Sequence, residues 1–258
     1  MRENLAKTKI KARQPAFGVG FENWASPDLA EFCGYLGFDW LWIDVEHGAF
    51  DLDELLHMAR AAELSGIVPV ARIPHTHDEE KILGYMEAGM MGICMAHTRS
   101  REEAEFAVRA VKFPPLGVRS AGRARPARWG LGGGSAAEYY AAANRESLVM
   151  VLVEEEDGLA NLDDILAVPG LDAVSIGFGD LSLQMGHPGD HLHPEVLRLL
   201  EPAWAKVLAS GKALQVDEGE GGRCAREWVE AGALLPRCEA PLFLAAGCKA
   251  WLQAARGG

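Results

Sequence analysis

The chain has 258 residues, of which 49% are hydrophobic, so it is long enough to bury a full core. Its formal net charge of −12 at pH 7 argues against a polyanionic partner such as nucleic acid, because phosphate backbones attract basic surfaces. No apolar run approaches the length of a bilayer span, and the amino end lacks the apolar core of a secretory signal. We therefore expect a cytoplasmic protein with no membrane partner.

Eight short apolar runs alternate with amphipathic stretches, at a spacing that suits a repeated βα unit. The predicted strands cover residues 17–21, 39–45, 68–73, 92–96, 148–154, 173–178, 213–216 and 233–238. One helical pattern begins with Ser26 as cap and Pro27 as its first residue, and the next ends at Gly66. Strict alternation predicts the α/β class, with one closed (β/α)8 TIM barrel domain over residues 1–258.

Three further features have plain interpretations. The basic amino end, from Lys7 to Arg13, is interpreted as a helix that precedes the barrel. The five cysteines contain no CxxC pair and are interpreted as small buried hydrophobic residues in a reducing compartment. The Gly- and Arg-rich stretch 114–135 predicts a functional loop; its GLGGGS run at 130–135 lacks a phosphate-binding lysine, which favours a lid or linker.

Barrels of this class place catalytic groups at the carboxyl ends of their strands, which selects a small set of polar residues. The set comprises Asp44, Glu46 and His47 after the second strand, Arg72 at the end of the third, Glu154 at the end of the fifth, and Asp180 after the sixth. Two carboxylates from neighbouring strands suit a hard divalent cation such as Mg²⁺ or Mn²⁺. Arg72 adds a donor fork for an oxyanion and needs a buried anion as partner, and His47 titrates near neutrality. These groups predict proton abstraction beside a cation-chelated carbonyl.

Each residue also has a structural interpretation. His47 could be a hydrogen-bonded structural histidine, Glu154 could open an acidic loop, and Asp180 could cap the next helix. The HxxxHxH spacing of His187, His191 and His193 lies in a Pro- and Gly-rich loop, which favours a structural role over a zinc site.

Several motifs occur in order along the chain. They are IDVEH at 43–47, ARIP at 71–74, FPPLGVRS at 113–120, RWG at 128–130, the Glu154 segment with NLDDI at 161–165, and IGFGDLSLQMGHPGDHLHPEV at 176–196. With these motifs the chain resembles the metal-dependent (class II) pyruvate aldolases of the HpcH/HpaI type, over most of its length. That family includes 4-hydroxy-2-oxoheptanedioate aldolase and 2-dehydro-3-deoxyglucarate aldolase.

The resemblance implies a barrel of the phosphoenolpyruvate/pyruvate-domain type. It also implies a homo-oligomer, trimer or hexamer, with exchanged carboxyl-terminal helices, in which Trp251 would contact a neighbouring subunit. Glu154 and Asp180 would bind Mg²⁺ or Mn²⁺, with Co²⁺ or Zn²⁺ as alternatives. Arg72 would stabilise the enolate oxygen of a 2-oxo acid.

The resemblance also implies the proton-transfer and substrate-binding groups. His47 would be the base, directly or through water, with Asp44 nearby and Glu87 as its acidic partner. The backbone around Gly179, Leu181 and Ser182 would receive the substrate carboxylate.

The implied reaction cleaves a 4-hydroxy-2-oxo acid to pyruvate, or a related 2-oxo acid, and an aldehyde through an enolate. A citrate-lyase-like acyl-CoA lyase is one alternative, although the acidic charge and the lack of a basic groove weigh against it. A barrel that binds an oxo acid without turnover is another. The departures from the family pattern, Leu152, Phe178, Met95 and Ala96, leave substrate preference and turnover open.

Overall fold

The computed structural model of the protein describes residues 1–256. Its eight parallel strands form a closed barrel in chain order, with the last strand paired to the first. The strands are β1 (Gly18–Phe21), β2 (Trp40–Asp44), β3 (Val68–Ile73), β4 (Gly92–Met95), β5 (Leu148–Val153), β6 (Ala173–Ile176), β7 (Ala213–Asp217) and β8 (Leu235–Glu239). The predicted strands and the predicted (β/α)8 barrel are confirmed.

Twelve α-helices accompany the strands in the described residues. They are α1 (Leu5–Lys11), α2 (Pro27–Leu36), α3 (Leu52–Ser65), α4 (Glu79–Ala88), α5 (Arg101–Val111), α6 (Ala136–Glu146), α7 (Glu156–Ala160), α8 (Leu162–Leu166), α9 (Gly179–Gln184), α10 (Pro194–Ser210), α11 (Ala225–Ala231) and α12 (Ala240–Ala255). Short 3₁₀ helices cover Arg125–Gly130 and Glu220–Gly222. None of the helices within residues 1–256 is both long and apolar enough to cross a membrane.

Local sequence signals account for the ends of the first barrel helices. The Ser26 hydroxyl caps α2 and Pro27 is its first residue, as predicted. Helix α3 begins with a capping box, in which the side chains of Asp51 and Glu54 each accept a hydrogen bond from the backbone N–H of the other residue. It ends at Gly66, whose φ of 83° places it in the left-handed region that glycine tolerates. The signals at Ser26, Pro27 and Gly66 are local, which is why the sequence alone predicted them.

Large side chains fill the barrel interior toward the amino ends of the strands. Alternate residues of a barrel strand point inward, so Trp40 and Trp42 of β2 pack with Val68 and Val70 of β3. Gly18 leaves the space for this packing, because a Cβ there would lie 2.4 Å from Cε2 of Trp40. The filled lower interior leaves room for a cavity only toward the carboxyl ends of the strands.

The predicted amino-terminal helix is present as α1, and it lies across the amino ends of β4 to β6. Asn4 is fully buried; its Oδ1 accepts from the Lys7 N–H at 2.9 Å, and its Nδ2 donates to the carbonyls of Met91 and Glu146 at 3.3 and 2.9 Å. The buried Lys7 ammonium pairs with Asp172 at 2.7 Å. The basic amino end therefore includes a lysine that closes the barrel floor.

Two other sequence interpretations have mixed outcomes. Burial of the cysteines is confirmed for Cys33 and Cys94 and is wrong for Cys224, Cys238 and Cys248, although all five are free thiols. The exposed Cys248 lies on α12, a helix that has no buried residue in this chain. The GLGGGS run leads directly into α6, where the Ser135 hydroxyl accepts a hydrogen bond from the Glu138 N–H at 3.2 Å.

Replacing Asn4 by Ala tests the role of α1. The change removes a helix cap and leaves the buried Glu146 carbonyl without its side-chain donor, while the Met91 carbonyl keeps only the Leu148 N–H, so we expect the free energy of unfolding to fall by about 2–3 kcal/mol. Urea denaturation followed by circular dichroism measures this. Ser26→Ala, which removes an exposed cap on α2, is the control and should cost about 1 kcal/mol or less. Equal losses in the two variants would show that α1 does not stabilise the barrel.

Candidate active site

A cavity of about 280 Å³ lies at the carboxyl ends of the strands. Of the predicted site residues, those that line it are Asp44, His47, Arg72, Glu154, Gly179 and Asp180. Asp44 and Arg72 lie on β2 and β3, and the others follow β2, β5 and β6, so residues up to 136 positions apart in the sequence share one cavity. The lining does not include Glu87, Leu181 or Ser182. The barrel thus brings most of the predicted site together.

Asp44 and Arg72 form a buried, two-point ion pair at the ends of β2 and β3. Arg72 Nε donates to Asp44 Oδ1 at 3.0 Å and Nη2 donates to Oδ2 at 2.6 Å, while Nη1 lies 2.9 Å from Glu46 Oε2. Asp44 also accepts the N–H groups of Glu46 and His47 at 3.1 Å. Burial favours a higher pKa for Asp44, but Arg72 outweighs it and lowers that pKa. Asp44 is therefore the ionised partner of Arg72. It is the buried anion that the sequence analysis predicted for this arginine.

Glu154 follows β5 and is only 4% exposed. Burial raises its pKa to about 7, with a further contribution from the nearby negative charge of Asp180, while His97 and Arg72 oppose the rise. A cation bound beside Glu154 would favour the ionised form of its carboxylate. Glu154 and Asp180 are oxygen donors facing one cavity, so they fit a hard divalent cation.

Asp180 is in the first turn of α9 and does not cap that helix. The N-cap is Phe178, which has no side-chain capping bond, so the capping interpretation of Asp180 is wrong. The Asp180 carboxylate is free to face the cavity.

The backbone of α9 offers fewer free donors than the resemblance implied. The Ser182 N–H donates to the Phe178 carbonyl at 3.0 Å, and its hydroxyl donates to the Gly179 carbonyl at 2.8 Å. Ser182 is therefore committed to the helix, because it lies beyond the first four N–H groups, counted from the N-cap Phe178, which are the ones without an intrahelical partner. Gly179 is the member of the predicted trio that lines the cavity.

His47 and Glu87 are not paired in this chain. The His47 side chain is 63% exposed, lines the cavity, and has Nε2 4.0 Å from Glu46 Oε2. Glu87 instead accepts a hydrogen bond from Arg119 Nη2 at 2.8 Å, and Arg119 lies over the Phe113 ring. Arg119 and Phe113 belong to the FPPLGVRS motif, which thus anchors the start of the long loop. The catalytic roles of His47 and Glu87 remain predictions.

His97 was missed by the sequence analysis. It follows β4 with a φ of 52°, which is unusual for a residue with a side chain. Its backbone N–H donates to Glu154 Oε1 at 3.1 Å, and its ring nitrogens lie 2.8 Å from Glu155 Oε1 and 3.2 Å from Glu46 Oε1. Burial favours a lower pKa for His97, but the surrounding carboxylates outweigh it and raise that pKa. His97 thus connects Glu154 and Glu155, which follow β5, to Glu46, which pairs with Arg72.

A second group of cavity residues was also missed. It comprises Glu22 after β1, Gln215 and Asp217 on β7, Glu220 in the following turn, and Arg237 on β8. The rule that polar residues at strand ends are functional applies to β1, β4, β7 and β8 as well. Applied to all eight strands, it would have identified His97, Glu22, Asp217 and Arg237.

Comparisons with known proteins agree with this geometry. Residues 19–219 match the family model described as HpcH/HpaI aldolase/citrate lyase. The chain belongs to this family. It is 38% identical to a hydroxypyruvate/pyruvate aldolase of Pseudomonas aeruginosa, over 89% of this chain and 84% of the relative. It is 35% identical to a 4-hydroxy-2-oxo-heptane-1,7-dioate aldolase of Escherichia coli, over 90% of this chain and 87% of the relative.

Solved HpcH/HpaI structures share the fold over nearly the whole chain. A Burkholderia cenocepacia member of the aldolase/citrate lyase family superposes with a TM-score of 0.85 at 30% identity, over 98% of this chain and 99% of the other. An HpcH/HpaI aldolase from Desulfitobacterium hafniense gives a TM-score of 0.86 at 26% identity, over 97% of this chain and 96% of the other. The family resemblance seen in the sequence motifs is confirmed.

The three histidines of the histidine-rich loop of this HpcH/HpaI family member do not line the cavity. The rings of His187 and His193 stack with centroids 3.5 Å apart and planes 16° apart, and His187 Nε2 lies 2.9 Å from Glu195 Oε2. Stacked rings turn their in-plane lone pairs parallel, which disfavours a shared zinc ion. His191 instead packs against Phe178, which lines the cavity.

Asp44→Asn tests the buried ion pair. The variant leaves the Arg72 charge without its main partner, so we expect the free energy of unfolding at pH 7 to fall by about 3 kcal/mol. The folded-state pKa of Asp44 is lowered, so its stabilisation is present above the unfolded value of 3.8 and is lost as the pH falls through the folded value. Urea denaturation at pH 7 and pH 3 measures both effects.

The control for this experiment is Asp163→Asn, because Asp163 pairs with Lys206 at an exposed position. We expect a loss below about 1 kcal/mol for that surface pair. Two outcomes would contradict the anchoring role of Asp44. One is an equal loss of unfolding free energy in the two variants. The other is a difference in unfolding free energy between Asp44→Asn and wild type that is as large at pH 3 as at pH 7.

Proposed function

We propose that this chain is a divalent-metal-dependent aldolase. It cleaves the C3–C4 bond of a 4-hydroxy-2-oxo acid to give pyruvate, or a related 2-oxo acid, and an aldehyde, and it catalyses the reverse addition. The aldolase names of its relatives support this reaction class. The observation that carries the proposal is the buried Glu154, placed with Asp180 and Arg72 around one cavity.

Glu154 and Asp180 would hold the cation, with Mg²⁺ or Mn²⁺ favoured by their oxygen ligands and Co²⁺ or Zn²⁺ as alternatives. When bound, the cation polarises the keto group of the oxo acid. Arg72 has five N–H donors, and three of its nitrogens are engaged by Asp44 and Glu46. Its remaining N–H groups stabilise the negative charge that develops on the keto oxygen. The Gly179 backbone helps to position the substrate carboxylate.

His47 acts as the base at the exposed side of the cavity. In cleavage it takes the proton of the 4-hydroxyl group, directly or through water, while the C3–C4 electron pair moves into the enolate. The aldehyde leaves, and protonation at C3 gives the methyl group of pyruvate. Asp44 supports this step by accepting the His47 backbone N–H at 3.1 Å, which fixes the segment that carries the base.

We also propose that the protein works as a homo-oligomer, trimer or hexamer, on small molecules in the cytoplasm. The helix α12 has no buried residue in the single chain, although it is largely apolar. Leu244 and Trp251, which are seven residues apart and therefore on one face of this helix, are 56% and 69% exposed. An apolar face of this kind fits a contact with another copy of the chain. The five free thiols suit a reducing compartment.

Proton exchange of pyruvate tests the proposed chemistry. With Mn²⁺ and no aldehyde, an aldolase exchanges the methyl protons of pyruvate with deuterium from the solvent, which proton NMR measures. Glu154→Gln and Asp180→Asn should weaken metal binding by at least about 100-fold, since they remove ligands and not merely outer partners. The control is Glu156→Gln at an exposed neighbouring position, and metal content after dialysis reports binding.

The Arg72 variants separate metal binding from enolate stabilisation. Arg72→Ala, and Arg72→Lys, which keeps the charge but loses the planar fork, should retain the metal and lower the exchange rate by about 10²–10³-fold. Wild-type exchange in both variants would remove the role of Arg72. A wild-type protein that binds Mn²⁺ and pyruvate but exchanges no protons would be a binding barrel and would contradict the aldolase proposal.

The oligomer proposal has its own test. The double variant Leu244→Glu/Trp251→Glu places charge on the apolar face of α12, so we expect it to run as a monomer in size-exclusion chromatography with light scattering. The control is Gln253→Glu, which adds charge at a polar position of the same helix and should leave the assembly intact. A monomeric wild-type protein would contradict the proposal.

A further inference from the structure

The cavity has a second wall, formed where β7, β8 and the end of β1 meet. This distal wall consists of Glu22, Gln215, Asp217 and Arg237, and the barrel order places it across from β3 to β5. With the oxo acid held between Arg72 and Glu154, as proposed, this wall faces the part of the substrate that extends beyond the reacting carbons. The proposed function leaves the aldehyde partner unassigned, and this wall is where the chain can select it.

We propose that the distal wall selects an uncharged, hydroxylated aldehyde and rejects an aldehyde that ends in a carboxylate. This inference rests on the proposed aldolase function and specifies its second substrate. Three observations carry it: the engagement of Arg237, the excess of carboxylates, and the distribution of hydrogen-bond donors and acceptors.

Arg237 is held firmly by acidic partners. Its Nε lies 2.7 Å from Asp217 Oδ1, its Nη2 donates to Asp217 Oδ2 at 2.8 Å, and its Nη1 donates to Glu239. The guanidinium also lies 4.4 Å from the centroid of the Trp42 ring. A bidentate partner, a second carboxylate and an aromatic face fix the group in place. Its positive charge is therefore already compensated within the protein.

The wall as a whole carries excess negative charge. Glu22 and Asp217 are two carboxylates in a wall that has one guanidinium, Arg237, and that guanidinium also binds Glu239. Glu220 also lines the cavity, and burial and the nearby Asp217 raise its pKa well above the ordinary value. A terminal carboxylate entering this region would meet like charges.

The donors and acceptors of the wall favour hydroxyl groups. Gln215 Nε2 is engaged by Asp217 Oδ1 at 2.8 Å, so its side-chain oxygen is the group left for a ligand. That oxygen and the carboxylates of Glu22 and Asp217 are acceptors, and the free N–H groups of Arg237 are donors. A hydroxyl both donates and accepts, so it can bind between them, whereas a carboxylate only accepts.

Aldehyde selectivity tests the inference. The holoenzyme with Mn²⁺ and saturating pyruvate is assayed with glyceraldehyde, which is neutral and hydroxylated, and with succinic semialdehyde, which ends in a carboxylate. We expect kcat/KM for glyceraldehyde to exceed that for succinic semialdehyde by at least about tenfold, since like charges in an enclosed site oppose binding. Equal values, or a preference for succinic semialdehyde, would overturn the inference.

Asp217→Asn provides the sharper arm of the test. It removes one negative charge and frees the guanidinium of Arg237, so the selectivity ratio should fall by about tenfold or more toward succinic semialdehyde. The control is Glu218→Gln, the same charge change at the adjacent exposed residue outside the cavity, which should keep the wild-type ratio. An unchanged ratio in Asp217→Asn would overturn the inference.

Two features of the design keep the outcomes separable. The ratio compares two aldehydes on one sample, so a variant that folds only in part still gives a valid ratio. Pyruvate proton exchange without aldehyde is measured on the wild-type protein in parallel. Absence of exchange would contradict the proposed aldolase function itself, whereas normal exchange with no aldehyde selectivity would contradict only the role of the distal wall.

Discussion

The burial of the Glu154 carboxylate is the constraint on which the site depends. Placed after β5 with Asp180 nearby, it is ionised at little cost only if positive charge lies beside it. The chain supplies part of that charge through His97 and Arg72, but Arg72 is already engaged by Asp44 and Glu46. The proposed divalent cation would supply the positive charge that these partners do not.

The closed barrel explains how groups far apart in sequence reach this position. Each strand ends at the same rim, so one side chain from each of several strands faces a common cavity. The filled interior around Trp40 and Gly18 closes the floor, and α1 covers the amino ends of the strands. Chemistry is thereby confined to one end, and the opposite walls of that end are free to take different roles toward the two substrates.

Much of the fold was predictable because its signals are local. Ser26, Pro27 and Gly66 set helix ends through their own backbone preferences, and apolar runs set the strands. The site was predictable where a polar residue interrupts such a run, as at Asp44 and Arg72. The partners of individual side chains could not be predicted in this way. Glu87 binds Arg119 from a distant loop, and Ser182 is committed to its own helix. His97 and the distal wall were within reach of the strand-end rule but lie on strands to which it was not applied.

The most direct test of the account is the anomalous scattering of manganese in crystals of the protein grown with Mn²⁺ and pyruvate. The account predicts an ion bound by both Glu154 and Asp180, with the keto oxygen of pyruvate facing Arg72. An ion bound elsewhere, for example by Glu46 and His97 without Asp180, or no ion in the cavity at all, would contradict it.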